Sequence, residues 1–131
     1  MASHEPVWLQ TQVLIAVHHK VLAEHGGVDG VRDQNLLESA LARPRQLLAH
    51  GKPDVFALAA AYAFGIARIR PFIDGNKRTA FMAAYIFLAR NGFDPRMSEG
   101  ETVIVMNQLA AGELAEDEFA AWLKRNSNER T

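Results

Sequence analysis

Apolar residues recur at spacings of three and four along nearly the whole chain, and no run alternates with period two for long. The pattern predicts an all-α fold, a compact bundle of about six helices. A first helix starts at a cap at Thr11, runs through Val13, Leu14, Val17, Val21 and Leu22, and stops at Gly26-Gly27. A second, capped near Asp33, carries Leu36, Leu37, Ala40 and Leu41 and ends before Pro44, with one further helical turn placed between Arg45 and Pro53. Asp54 caps an Ala-rich third helix from Val55 to about Ile69.

Residues 71–76 break the pattern: Pro71 lacks a donor, and Asp74-Gly75 is a turn pair. The next helix, about 77–90, is apolar nearly all round, which suits the middle of a bundle. Ser98-Glu99-Gly100-Glu101 fits a capping box for a fifth helix, Glu99 to about Ala111. A last helix, about Glu116 to Lys124, presents Phe119, Trp122 and Leu123, and residues 126–131 read as a frayed polar tail. No repeat or low-complexity tract divides the chain, so residues 1–131 read as a single domain.

Composition narrows the function classes. With 131 residues and 49% hydrophobic content, the chain can bury a core without a metal or disulfide staple. A formal charge of -1 gives no global field for nucleic acid or an anionic membrane. There is no cysteine, which excludes thiol chemistry and suits a cytoplasmic setting. Residues 1–10 contain no signal-peptide core, and the longest apolar run, near 79–89, is too short to span a bilayer. No membrane association is expected. Direct DNA binding is not expected either, because the clustered cations precede a buried helix rather than line an exposed one.

The break at 71–76 carries the chemistry. Arg68, Arg70, Lys77 and Arg78 place four cations within a short stretch, against the single carboxylate of Asp74. That stretch opens a helix, where unpaired N–H groups and the dipole favour an anion. Gly75 allows close backbone approach, Asn76 offers hydrogen bonds, and Lys77 and Arg78 add charge. The set reads as a phosphate site, with Asp74 placed to hold Mg²⁺. The competing reading is a connecting turn followed by two solvated cations. Against it, each cation at a helix N-terminus costs about 0.3–1 kcal/mol, so a purely structural turn has little reason to hold two.

The run Pro71-Phe72-Ile73-Asp74-Gly75-Asn76-Lys77-Arg78-Thr79-Ala80 resembles the signature loop of the Fic/Doc superfamily in its Doc ("death on curing") form. Gly26-Gly27, Gly30 to Asp33, Leu36 to Pro44 and Ala59 to Ala67 resemble Doc proteins as well, so that the likeness spans roughly Leu9 to Leu123. The resemblance implies a small helical toxin of a toxin–antitoxin pair. It implies a protein kinase activity that transfers the ATP γ-phosphate to a hydroxyl of translation elongation factor Tu and arrests translation. Lys77 stands where AMP-transferring Fic enzymes carry a second loop glycine, which sets an AMP transferase behind the kinase reading. The resemblance further implies ATP and Mg²⁺ as cofactors, Asp74 as the Mg²⁺ ligand, and Gly75, Asn76, Lys77 and Arg78 as phosphate holders. Asp74 and Lys77, with whatever stands at position 70, make the catalytic set. No (S/T)-x-x-x-E-(G/N) inhibitory helix occurs in the chain. Restraint is therefore expected from an antitoxin whose C-terminal segment lies in a groove.

Position 70 departs from the family pattern. The family loop opens with a general-base His immediately before the residue that is Pro71 here; this chain has Arg70. A guanidinium has no lone pair to accept a proton, so the chain is expected to be inactive or attenuated. A naturally inactive homologue and a detoxified version compete as explanations. The intact remainder of the loop favours the second. A non-catalytic protein that binds antitoxin or nucleotide is the further alternative. Elsewhere, adjacent His18 and His19 point about 100° apart on a helix and read as structural or exposed rather than as a metal pair. Arg32-Asp33 reads as a local pair or cap, Trp122 as a pin for the last helix, and Trp8 as an aromatic that could serve a partner surface.

Overall fold

The computed structural model describes residues 5–130; residues 1–4 and 131 lie outside it, and with them parts of the N-terminal and tail readings. The described chain folds as α1 (Thr11–His25), α2 (Gln34–Ala49), α3 (Val55–Ile69), α4 (Asn76–Arg90), β1 (Phe93–Pro95), α5 (Glu99–Ala111), α6 (Glu116–Arg125) and β2 (Ser127–Glu129). The six-helix, all-α expectation holds, with a two-strand ribbon added.

α3 is the axis of the bundle. Its run of small residues (Ala59, Ala60, Ala61, Ala63, Gly65, Ala67) lets α2, α4, α5 and α6 approach it closely, and ten of its fifteen residues are buried. Tyr62, Ile66, Phe72, Phe87, Leu109 and Phe119 fill the spaces between the helices. α4 is less enclosed than its composition suggested. One face (Ala80, Ala83, Ala84, Phe87, Leu88) is buried, while Phe81, Met82, Tyr85 and Ile86 are only half covered.

Asp54 and Ser98 cap α3 and α5 as expected, accepting from Ala57 N–H and Glu101 N–H. Only half of the capping box forms, because the Glu101 carboxylate turns instead to accept from Trp122 Nε1 at 2.9 Å. That bond ties α5 to α6.

Two boundary expectations are corrected. α2 does not end before Pro44 but runs through it to Ala49. Proline removes one i to i−4 bond, here to Ala40. The helix survives because it is pressed against α3, where Gly65 has no Cβ and the Ala40 backbone fits against it. Burial of Leu37, Ala40 and Pro44 on that face outweighs one missing bond. The second correction is the tail. Residues 127–129 are not frayed but pair antiparallel with 93–95, and Arg130 donates to the carbonyls of Phe93 and Ala89. The polar side chains of this segment gave no period-two signal, and its pairing is made by the backbone and one terminal arginine.

Candidate active site

α3 ends at Arg70, which adopts a left-handed conformation (φ 57, ψ 63) as the helix C-cap. Arg70 is the only non-glycine residue with positive φ among the described residues. Its backbone is held from outside: Arg32 donates from Nε to the Arg70 carbonyl at 2.8 Å and from Nη2 to the Ile69 carbonyl at 2.7 Å. Arg32 is thus the cap of α3, while Asp33 caps α2 by accepting from Asn35 N–H.

The loop after Arg70 is fastened at three points. Phe72 is buried and stacks on His18 of α1, with ring centroids 3.8 Å apart. Asn76 locks the backbone of Phe72 from both sides, accepting from its N–H at 3.0 Å and donating to its carbonyl at 2.9 Å. The segment 26–33 then lies alongside, with Arg32 N–H on the Pro71 carbonyl, Ile73 N–H on the Gly30 carbonyl, and a bridge between Val31 and Phe72.

These constraints put Gly75 at the N-cap of α4 with φ 78 and no side chain capping the helix. The leading amides of α4 are therefore left for a ligand. They open onto a cavity of about 790 Å³ whose walls include Arg70, Asp74, Gly75, Lys77 and Arg78. Five of the six candidate site residues thus meet there through their side chains or, for Gly75, its backbone. Asn76 also borders the cavity, but its amide is spent on Phe72, so it offers a ligand its backbone N–H rather than its side chain. Arg68 turns away and lies over the Phe64 ring. The cavity combines three cations, one carboxylate and an uncapped helix start. That combination suits an anion with several charges.

The fit of a divalent cation rests on Asp74. Its Oδ2 accepts from Val28 N–H at 2.8 Å, and no hydrogen bond occupies Oδ1 among the described residues. Gly27 passes directly beside this carboxylate; a Cβ there would lie 3.1 Å from Asp74 Cβ and 2.9 Å from Leu22 Cδ2. No cluster of three or more His, Cys, Asp or Glu suits a metal among the described residues. One free carboxylate oxygen fits Mg²⁺ that arrives with phosphates and keeps its waters, and does not make an all-protein site.

Three contributors were not identified in the sequence. His18, 56 positions upstream, donates from Nε2 to the Asp74 carbonyl at 2.8 Å. His25 places Nε2 3.4 Å from Arg78 Nη1 at the cavity rim. Asn107 of α5 accepts from Lys77 Nζ at 2.8 Å. Sequence distance hid all three, although Gly26-Gly27 marked the end of the helix that delivers His18 and His25. His19 is exposed, and Trp8 is buried rather than presented: it packs on Phe87 under Arg45.

Beside the cavity runs a second, more apolar hollow of about 960 Å³ between α1, α4 and α5, lined by Val17, Phe81, Met82, Tyr85, Met97 and Val103 among others. Val21, His25, Lys77, Arg78 and Asn107 border both hollows. None of the described helices is long and apolar enough to cross a membrane.

Residues 8–88 match the model of the Fic/DOC family. The chain is 31% identical over 118 residues to the protein kinase doc of Escherichia phage P1, covering 89% of this chain and 93% of that protein. It is 38% identical over 106 residues to Toxin Doc of Mycolicibacterium smegmatis, covering 75% and 78% respectively.

Proposed function

The chain belongs to the Fic/Doc family, and from that premise we propose that it is the toxin of a toxin–antitoxin pair, built as a Doc-type protein kinase and blunted at Arg70. The single observation that carries this reading is the cavity in which Asp74, the uncapped start of α4, Lys77 and Arg78 converge. The names of the two relatives, a protein kinase and a toxin, supply the class of activity.

In this reading the cavity takes the phosphates of ATP, and a hydroxyl of elongation factor Tu accepts the γ-phosphoryl group. The leading amides of α4, Lys77 and Arg78 hold the phosphate oxygens. Asp74 would hold Mg²⁺ through Oδ1; when bound, the ion supplies further neutralisation of phosphate charge. The hydroxyl oxygen forms the new bond to phosphorus, the bond to the β-phosphate oxygen breaks, and ADP leaves. Phosphoryl transfer depends chiefly on positioning and charge, and this loop retains the residues for both.

The hydroxyl proton has no acceptor at position 70. Arg70 is exposed at the cavity wall and carries a permanent charge. His25 and His18 do not take over the role. His18 is buried, with Nε2 given to Asp74, and His25 leans on Arg78. Arg70 thus favours a second reading of the chain as it stands, a non-catalytic protein that still captures an antitoxin. Lys77 argues against AMP transfer.

The apolar hollow between α1, α4 and α5 is the proposed seat of the antitoxin's C-terminal segment, in the helix-in-groove mode. Because five residues border both hollows, a segment seated there would also crowd the phosphates. The deciding experiment replaces Arg70 with His (Arg70→His) and follows labelled γ-phosphate onto elongation factor Tu.

A further inference from the structure

We propose that Asn107 is a positioning residue for the phosphate cation Lys77, chosen by its neutrality. The proposal rests on reading the charged cavity as a phosphate site. Lys77 is the second residue of α4, and its stem crosses to α5, where Nζ donates to Asn107 Oδ1 at 2.8 Å. Both residues line the cavity. No carboxylate pairs with Lys77 among the described residues.

The chemistry of the partner matters. A carboxylate at this distance would fix the ammonium and cancel its charge. The amide oxygen fixes its direction and leaves the charge intact. It also uses one of the three ammonium N–H groups, so two remain for phosphate oxygens. A free lysine in water samples many rotamers, and a bound phosphate must then pay to order it. Asn107 orders it beforehand.

A purely structural reading of this bond has little to explain. Asn107 is exposed, and α5 is seated without it through buried Val105, Met106 and Leu109, the Ser98 cap, and the bond from Trp122 to Glu101. The α4–α5 packing does not need a surface amide.

Two substitutions separate the roles, measured in the Arg70→His chain by calorimetry with tripolyphosphate and by the KM for ATP in transfer. Asn107→Asp turns the bond into an ion pair and should weaken phosphate binding and raise KM by about tenfold, with kcat little changed and the melting temperature equal or higher. Asn107→Leu releases Lys77 and should weaken binding by about threefold. A structural tie predicts the reverse order, because Asp keeps the bridge between the helices and Leu loses it. The proposal is overturned if Asn107→Asp binds tripolyphosphate as the parent does, or if Asn107→Leu binds it more tightly. If the parent itself binds no tripolyphosphate, the phosphate reading fails and this proposal falls with it. If the parent binds but transfers nothing, only the kinase reading fails, and the order of the two variants still decides.

Discussion

His18 Nε2 lies 2.8 Å from the backbone carbonyl of Asp74, although 56 positions separate the two residues. A carbonyl only accepts, so Nε2 carries the proton and the ring is fixed as donor toward the loop. The same ring is buried and stacks on Phe72. One side chain of α1 therefore sets both the direction of the Asp74 backbone and the seat of the loop's aromatic anchor.

His18→Leu should keep the volume and lose the bond. Losing one part-buried hydrogen bond costs about 0.5–1.5 kcal/mol, so the denaturant midpoint should fall while the slope of the transition stays constant. Tripolyphosphate affinity should fall with it, since the start of α4 is no longer held. An unchanged midpoint would show that the His18–Asp74 bond is incidental.

Stability should also fall at alkaline pH through Tyr62. Burial raises its phenol above the ordinary value of 10.0, opposed by the Leu9 N–H it accepts and by the Arg45 charge. The raised value means that above pH 10 the unfolded chain releases a proton that the folded chain keeps. The folded form then loses stability as pH rises toward and through its own higher pKa, by at most about 1.4 kcal/mol per pH unit for one group. Below pH 10 the contribution is fully present. Urea titrations of the parent and of Tyr62→Phe between pH 8 and 11 test this. The two curves should converge as pH rises, and parallel curves would contradict the assignment.

Asp74 is best probed with Asn. Asp74→Asn keeps an oxygen for Val28 N–H and removes the charge, so the melting temperature should barely move. In an Arg70→His background, transfer should drop by several orders of magnitude, and Lys77→Ala should act in the same direction. A large loss of folding stability with Asp74→Asn would mean that the carboxylate is a structural tie and not a site.

The groove prediction is independent of catalysis. A synthetic peptide of the antitoxin's C-terminal segment should bind the chain as it stands, with Mg²⁺-ATP bound weakly or not at all if Arg70, which lines the cavity, reaches across the phosphate space. Val103→Asp, at a groove position 43% exposed, should weaken peptide binding by about tenfold or more without unfolding the protein. Calorimetry that gives no heat with the parent chain, and no shift in melting temperature, would remove the groove as the antitoxin seat.

Much of this architecture was written in local signals. Asp54 and Ser98 are short polar caps ahead of apolar periodicity, and Pro71 with Asp74-Gly75 punctuates the chain where the loop sits. Two boundaries were illegible for physical reasons. Pro44 ends helices in isolation, but packing against Gly65 carries α2 through it, and that contact is between residues of different helices. The ribbon at 127–129 has polar side chains because its value lies in backbone pairing. The candidate site divides the same way. The cavity residues singled out as site residues fall within 70–78, whereas two of their supports, His18 and Asn107, lie on other helices and carry no motif; Arg32 sat in a recognised stretch, but its bonds to the end of α3 did not show there. Asn76 shows the limit of reading roles from a motif: its type was right for hydrogen bonding, but both bonds turn inward to Phe72.

Arg70→His tests the central claim most directly. The backbone there is already left-handed, a conformation in which His is enriched, so the substitution should fold. It places a neutral imidazole at the head of a loop that retains the other parts, and general-base catalysis contributes about 10²–10⁴-fold. The measurement is the transfer of radiolabel from [γ-³²P]ATP to purified elongation factor Tu, compared between the parent and the variant. The account predicts label on the elongation factor with the variant alone, growth arrest on its expression, and rescue by co-expressed antitoxin. A folded Arg70→His protein that binds Mg²⁺-ATP, yet neither labels the elongation factor nor arrests growth, would contradict it.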